Sequence, residues 1–211
     1  MISNKPTIVL VRPQLPENIG MVARVMNNFS LKDLIIVNPR ENWLNDKSIN
    51  SAKKANKIIS KAKVYNNLDD ALKKFTYIIA TSNRKRYLRK SYSNNFKNIG
   101  KVLKAHKKVA IMFGPENSGL SNEDLRLTDL IFSINTNKTS NSLNLSHAVA
   151  IMSQNIFEFQ YSKRAKTKNE KNDYVNKGHL SKYFNYLFQK LSSKNFFVPK
   201  EKTNSMKNNI Y

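Results

Sequence analysis

The fold class predicted by the sequence is α/β, with a mostly parallel sheet. Short, nearly continuous apolar runs rich in β-branched residues recur along the chain, and segments with helical periodicity separate them. Uninterrupted apolar runs fit strands covered on both faces, as in parallel sheets; a half-exposed antiparallel strand would alternate apolar and polar residues. Strand and helix in alternation give a layered α/β domain with helices on both faces of the sheet.

The strands are expected at Thr7-Ile8-Val9-Leu10-Val11, Leu34-Ile35-Ile36-Val37, Tyr77-Ile78-Ile79-Ala80, Val109-Ala110-Ile111-Met112-Phe113 and Leu130-Ile131-Phe132-Ser133-Ile134. Helical patterns fall at residues 17–29, 47–61, 68–75 and 121–127. The best-formed is 144–160, where Leu145, Ala148, Val149, Met152, Ile156 and Phe159 share one face. Residues 1–161 therefore read as one domain. Residues 162–178 are polar and charged and read as a linker. Residues 179–211 form a short helical extension, with Phe184, Leu187, Phe188 and Leu191 on one stripe and a frayed close from Lys200 to Tyr211.

Composition narrows the chemistry. The 211 residues are 40% hydrophobic, enough for a real core, and the net charge is +23, from 37 Lys+Arg against 14 Asp+Glu. A polyanionic partner would neutralise that charge; a Lys- and Asn-rich codon bias is the alternative source. There is no cysteine, which excludes disulfides, thiolate-held metals and thiolate nucleophiles. His106, His147 and His179 are too dispersed to suggest a metal site. The apolar run Ile8 to Val11 is too short for a signal core or membrane span, so a cytoplasmic setting without membrane contact is expected.

Three of the five glycines (Gly20, Gly114, Gly119) sit in polar segments at predicted strand ends, where parallel α/β sheets bind ligands. In Pro16-Glu17-Asn18-Ile19-Gly20-Met21-Val22-Ala23-Arg24, the buried stripe of the helix is expected to be Ile19, Val22, Met26 and Phe29. Gly20 and Arg24, four apart, share another face. A sugar–phosphate against bare backbone at this helix N-terminus would explain the glycine; a tight turn beside a solvated arginine would also do so. Phe113-Gly114-Pro115-Glu116-Asn117-Ser118-Gly119-Leu120 leads into a helix capped by Ser121, with Asp124 at the capping-box position. Neither G-x-G-x-x-G nor a P-loop occurs, which disfavours a dehydrogenase or P-loop nucleotidase. Thr139-Ser140-Asn141-Ser142-Leu143-Asn144-Leu145-Ser146-His147-Ala148 holds more hydroxyls and amides than one helix cap needs, consistent with a polar ligand pocket. Finally, Thr81-Ser82-Asn83-Arg84-Lys85-Arg86-Tyr87-Leu88-Arg89-Lys90 interleaves basic residues with a tyrosine, which suits phosphates and an unpaired base as well as a solvated loop.

In order and spacing these segments resemble the SPOUT superfamily of knotted methyltransferases, specifically its TrmH-like (SpoU) family. The likeness lies in Val-Arg-Pro-Gln-Leu-Pro-Glu-Asn-Ile-Gly-Met-Val-Ala-Arg, Phe-Gly-Pro-Glu-Asn-Ser-Gly-Leu and Ser-Leu-Asn-Leu-Ser-His-Ala-Val, and covers residues 6–160. Thr-Ser-Asn-Arg and Asn195-Phe196-Phe197-Val198-Pro199-Lys200-Glu201 look most like the members that methylate the ribose of cytidine or uridine at the first nucleotide of the tRNA anticodon loop. The resemblance implies a SPOUT α/β fold with a C-terminal trefoil knot, a homodimer with its active site at the subunit interface, and S-adenosyl-L-methionine-dependent methylation of a ribose 2′-hydroxyl in RNA, most specifically tRNA. It places the cofactor near Thr81, Ser82, Asn83, Gly114, Glu116, Ile134, Ser142, Leu143 and Asn144, and catalysis at Arg24, Asn18 and Asn144. Arg24 would orient the ribose and a phosphate and stabilise the forming alkoxide, with Asn18 holding the hydroxyl or Arg24. Arg84, Lys85, Arg86 and Arg89 would contact RNA, and no metal is required. Ribosomal RNA as substrate, or a non-catalytic RNA-binding role, are the alternatives. Relatives continue past the Phe-Phe-x-Pro segment with further helical residues whereas this sequence stops at Tyr211, so either the C-terminal module is shortened or the sequence is truncated, which bears on substrate choice and RNA affinity more than on catalysis.

Overall fold

A computed structural model describes residues 5–84, 89–137, 139, 141–161 and 175–211. Its strands are β1 (Thr7–Val11), β2 (Leu34–Val37), β3 (Lys63–Tyr65), β4 (Tyr77–Thr81), β5 (Ser91–Ser93), β6 (Val109–Phe113) and β7 (Leu130–Phe132). They form one sheet in the order β3-β2-β1-β6-β4-β7-β5, every neighbouring pair parallel. β6 is inserted between β1 and β4, with Ile111 opposite both Ile8 and Ile79. Alternate residues of each strand enter two cores, one on each face: Ile8, Leu10, Ile36, Ile111 and Phe113 on the first, Val9, Val11, Ile35, Ala110 and Met112 on the second. This explains the unbroken apolar runs, since neither face of an inner strand meets water.

The first face is covered by α1 (Pro16–Asn28), α2 (Asp46–Ala52), α3 (Asn56–Ser60), α5 (Phe96–Ala105) and α6 (Leu145–Tyr161). The second is covered by α4 (Leu68–Leu72) and a 3-10 turn at Asp124–Leu127, with Tyr211 packed against it. The helical pattern read across 47–61 is broken because Lys53 takes a φ of +52°, outside the right-handed helical region. Ser121 and Asp124 do cap each other (Ser121 N to Asp124 Oδ2 2.7 Å, Asp124 N to Ser121 Oγ 3.1 Å), but the segment they open is the short 3-10 turn and not a helix over 121–127.

The extension is more ordered than composition suggested. α7 (Lys177–Ser193) begins inside the stretch read as linker, most of which (162–174) lies outside the described residues. The supposedly frayed close holds a 3-10 turn (Lys200–Lys202) and α8 (Thr203–Ile210). Aromatic packing accounts for this order: Tyr211 stacks on Phe184 at 4.4 Å between ring centres, donates to Ser181 Oγ at 3.0 Å, and lies under the Arg126 guanidinium. α7 docks at the amino ends of the strands, where Lys177 N donates to Phe75 O and Gly178 N to Lys73 O. The buried Lys177 ammonium pairs with Asp129, whose other oxygen accepts from Ile78 N at 2.7 Å. Among the described residues no helix is long and apolar enough to cross a membrane.

Candidate active site

The loops that leave β1, β4, β6 and β7 meet at the carboxyl ends of the strands. There the loops after β4, β6 and β7, with the start of α6, line an open cavity of about 230 Å³. Its lining combines apolar side chains (Phe113, Ile134, Leu143, Leu145 and Ala148) with the polar Thr81, Ser82, Glu116 and Ser142. Of the nine residues expected at the cofactor, eight line this cavity: Thr81, Ser82, Asn83, Gly114, Glu116, Ile134, Ser142 and Leu143. Arg84, Asn117, Ser118, Gly119 and Asn141 line it as well, though composition and motif did not assign them there. Thr81 is fixed by donating from Oγ1 to Met112 O at 2.9 Å, tying the end of β4 to β6. Gly114 is required because the loop after it folds back on it: a Cβ there would lie 2.4 Å from Leu120 N and 2.5 Å from the Gly119 carbonyl carbon.

Asn144, the ninth, stands just outside the cavity lining as part of a relay that joins three sequence motifs. Its Oδ1 accepts from Ser146 N and Ser146 Oγ, each at 2.8 Å, and its Nδ2 donates to Asn18 Oδ1 at 3.1 Å. Asn18, only 2% exposed, donates in turn to Glu116 Oε1 at 2.8 Å. Glu116 Oε2 accepts from Gln14 N at 2.9 Å, and Oε1 has a longer contact with Leu15 N at 3.4 Å. Leu15, at the N-cap of α1, offers no side-chain cap, so Glu116 supplies the acceptor from another loop. An anion at a helix N-terminus also meets the positive end of the helix dipole.

This arrangement corrects the expectation of a phosphate at the start of α1: a carboxylate of the chain's own already sits there. It also corrects the explanation of Gly20. That glycine faces α2, where a Cβ would lie 2.2 Å from Ser48 O and 2.7 Å from Ser51 Cβ, so helix packing is what excludes a side chain. Arg24 lies on the exposed face of the same helix and makes no hydrogen bond or ion pair among the described residues. Within one chain the structure thus unites Asn18 with Asn144 and leaves Arg24 apart from both.

A charge pair braces the cavity from outside. Arg12, at a φ of +48° beyond β1, makes a two-pronged contact with buried Asp124, Nη1 lying 3.0 Å from Oδ1. Burial alone would raise the Asp124 carboxyl; the bonds from Arg12 and Ser121 outweigh it and hold the group below its ordinary value. Of the basic residues expected at RNA, Arg84 and Arg89 are exposed, whereas Lys85 and Arg86 lie outside the described residues. Lys90 is drawn inward, donating to Arg126 O, and burial lowers its ammonium from the usual range. His147 is exposed on α6 and takes no part in the relay.

A doubly covered parallel sheet with a half-polar cavity beyond its strand ends defines the class of α/β proteins in which that position is the usual place for a small organic ligand. The family is given by residues 5–154, which match the SpoU rRNA methylase family; the chain belongs to that family. It is 34% identical over 165 residues to the tRNA (cytidine-2′-O-)-methyltransferase TrmJ of Methanocaldococcus jannaschii, covering 77% of this chain and 70% of the relative. The crystal structure of TrmJ from Z. mobilis ZM4 superposes with a TM-score of 0.86 at 29% identity, covering 98% of this chain and 88% of that one. The SpoU methyltransferase AviRb from Streptomyces viridochromogenes, solved in complex with AdoMet, shares the fold at 18% identity and a TM-score of 0.60, over 77% of this chain and 64% of its own.

Proposed function

We propose that this protein methylates a ribose 2′-hydroxyl of tRNA with S-adenosylmethionine as donor, at the first nucleotide of the anticodon loop. The observation that carries the proposal is that two family motifs line one cavity and the Ser146–Asn144–Asn18–Glu116 relay ties the third to them. The cavity suits the donor chemically: apolar side chains for an adenine ring stand in the same lining as hydroxyls and a carboxylate that can bind ribose and the amino acid part. The bound donor supplies an activated methyl group. The 2′-hydroxyl is the difficult partner, because it is a weak acid and a poor nucleophile.

The protein's part is to hold that hydroxyl and to offset the charge it develops. Arg24 is the group for this, orienting the ribose and an adjacent phosphate and stabilising the nascent alkoxide; a guanidinium stays protonated. Because Arg24 is exposed and makes no hydrogen bond or ion pair among the described residues, we assign it to the cavity of a second copy in a homodimer, where exposed Leu15 and Met21 would be covered. Asn18 and Asn144 act differently, as a partly buried relay that ties the start of α1 to Glu116 at the cavity. Arg84, in the cavity lining, and the exposed Arg89 would take RNA phosphates, a role proposed for Lys85 and Arg86 as well. The family's trefoil knot and a cytoplasmic location belong to the same proposal. The convergence of the loops after β4, β6 and β7 supports the knot, and the absence of cysteine supports a reducing compartment.

The test is methyl transfer from labelled donor to tRNA and ribosomal RNA transcripts, for wild type and Arg24→Ala. Labelling of tRNA alone, falling by about 100-fold or more in the variant at unchanged unfolding temperature, is the expected result. Activity of Arg24→Ala within a few-fold of wild type would remove Arg24 from catalysis, and labelling confined to ribosomal RNA would replace the substrate.

A further inference from the structure

We propose that Asn83 is a positioning residue: its amide pins the long segment between β7 and α6 to the end of β4 and so keeps the cavity's far wall in place. This rests on the cofactor assignment above but gives Asn83 a different task from direct ligand binding. A primary amide carries two N–H donors and one carbonyl acceptor. Here Nδ2 donates to Thr136 Oγ1 at 3.3 Å and to Asn141 O, while Oδ1 accepts from Ser133 Oγ at 2.8 Å. Both donors are therefore used within the chain, and one lone pair remains.

The three partners are spread along the connection from Phe132 to Leu145, which brings Ile134, Asn141, Ser142 and Leu143 to the cavity. Apart from a bridge at Asn137, its described residues form no helix or strand, so the connection cannot rely on a backbone ladder for its shape. A second amide contact, Asn94 Nδ2 to Asn135 Oδ1 at 3.1 Å, holds the same connection from the side of β5. Asn83 acts on the cavity side, at both the start and the end of the connection. A wall fixed before the ligand arrives costs less ordering on binding, and that difference appears as affinity.

Asn83→Ala and Asn83→Asp separate this role from a direct contact. The aspartate keeps the shape and the acceptor but removes both donors. Calorimetry with S-adenosylmethionine and hydrogen exchange of the free protein are the two readouts. Loss of two hydrogen bonds in Asn83→Asp and of all three in Asn83→Ala predicts binding weakened by about tenfold or more in both variants. Exchange over 133–137 and 141–144 should be faster. Wild-type affinity in Asn83→Asp would overturn the proposal. So would weakened binding with unchanged exchange over the same residues, since the side chain would then be touching the ligand itself. If the wild-type protein binds no S-adenosylmethionine, the cofactor assignment falls, while the exchange comparison still decides whether Asn83 pins the segment.

Discussion

The two ends of the sheet are built by different means. At the carboxyl ends, the loops are joined mainly through neutral amides and hydroxyls: Ser146, Asn144 and Asn18 in the relay to Glu116, and Asn83 with Ser133, Thr136 and Asn141. At the amino ends, a buried ammonium, a carboxylate and two backbone bonds fasten α7, and a stack of aromatic rings completes the dock. Directional neutral bonds fix geometry at little desolvation cost, which suits a cavity that must admit a charged ligand. A buried charge pair contributes less net stability than it costs to break, so it specifies where a segment sits. One end is built to hold a ligand; the other holds the chain's own extension.

Three experiments probe that contrast, beginning with the largest effect. Glu116→Ala leaves Asn18 and the Gln14 and Leu15 amides without their acceptor. Displacing reacting groups by an ångström costs about 100-fold in rate, so methyl transfer should fall by roughly that factor. Near-normal turnover in this variant would show that the relay does not set the geometry. Lys177→Met breaks the other end. Stranding a buried charge costs about 3–5 kcal/mol, but the Asp129 side chain is 26% exposed and keeps its bond from Ile78, so about 2–3 kcal/mol is expected in urea unfolding. Donor affinity should stay within twofold of wild type; a large change would mean that the two ends are coupled.

The smallest effect is in the acid response. Asp124 is held below its ordinary value of 3.8 in the folded chain, so its charged form stabilises the protein above that value, and the stabilisation is lost as pH falls through the folded pKa. The stability gap between wild type and Asp124→Asn should therefore be full at pH 7 and shrink below about pH 4. Urea midpoints at several pH values measure it, and a gap that does not change with pH would remove the Arg12–Asp124 charge pair as its source.

Much of this architecture is legible in the residues. Inner strands such as Val109–Phe113 announce themselves because both faces are apolar. The edge strands Lys63–Tyr65 and Ser91–Ser93 do not: each has three residues, and Val64 and Tyr92 are both 47% exposed. α5 is missing from the sequence-based expectations although its signal is present, an Asn95 cap followed by Phe96, Ile99, Val102 and Leu103 at helical spacing. At the site, the cavity residues follow from motif likeness. Gly20 misleads because a glycine excluded from bearing a side chain by a neighbouring helix looks the same in sequence as one facing a ligand. The Lys177–Asp129 pair is beyond reach for another reason: its members are 48 residues apart, in segments that composition alone would separate.

The central placement of β6 bears on how the protein is made. Residue 8 is hydrogen-bonded into the sheet beside residue 111, so a nascent chain cannot complete that sheet until more than half of it has left the ribosome. Until then β1 and β4 each present an unpaired apolar edge of the kind that invites association between chains. Such distant pairing also slows folding, because loop closure must precede the contacts that reward it. Synthesis therefore passes through a vulnerable interval that closes when Val109–Phe113 enters the gap and Leu130–Phe132 then covers the other edge of β4.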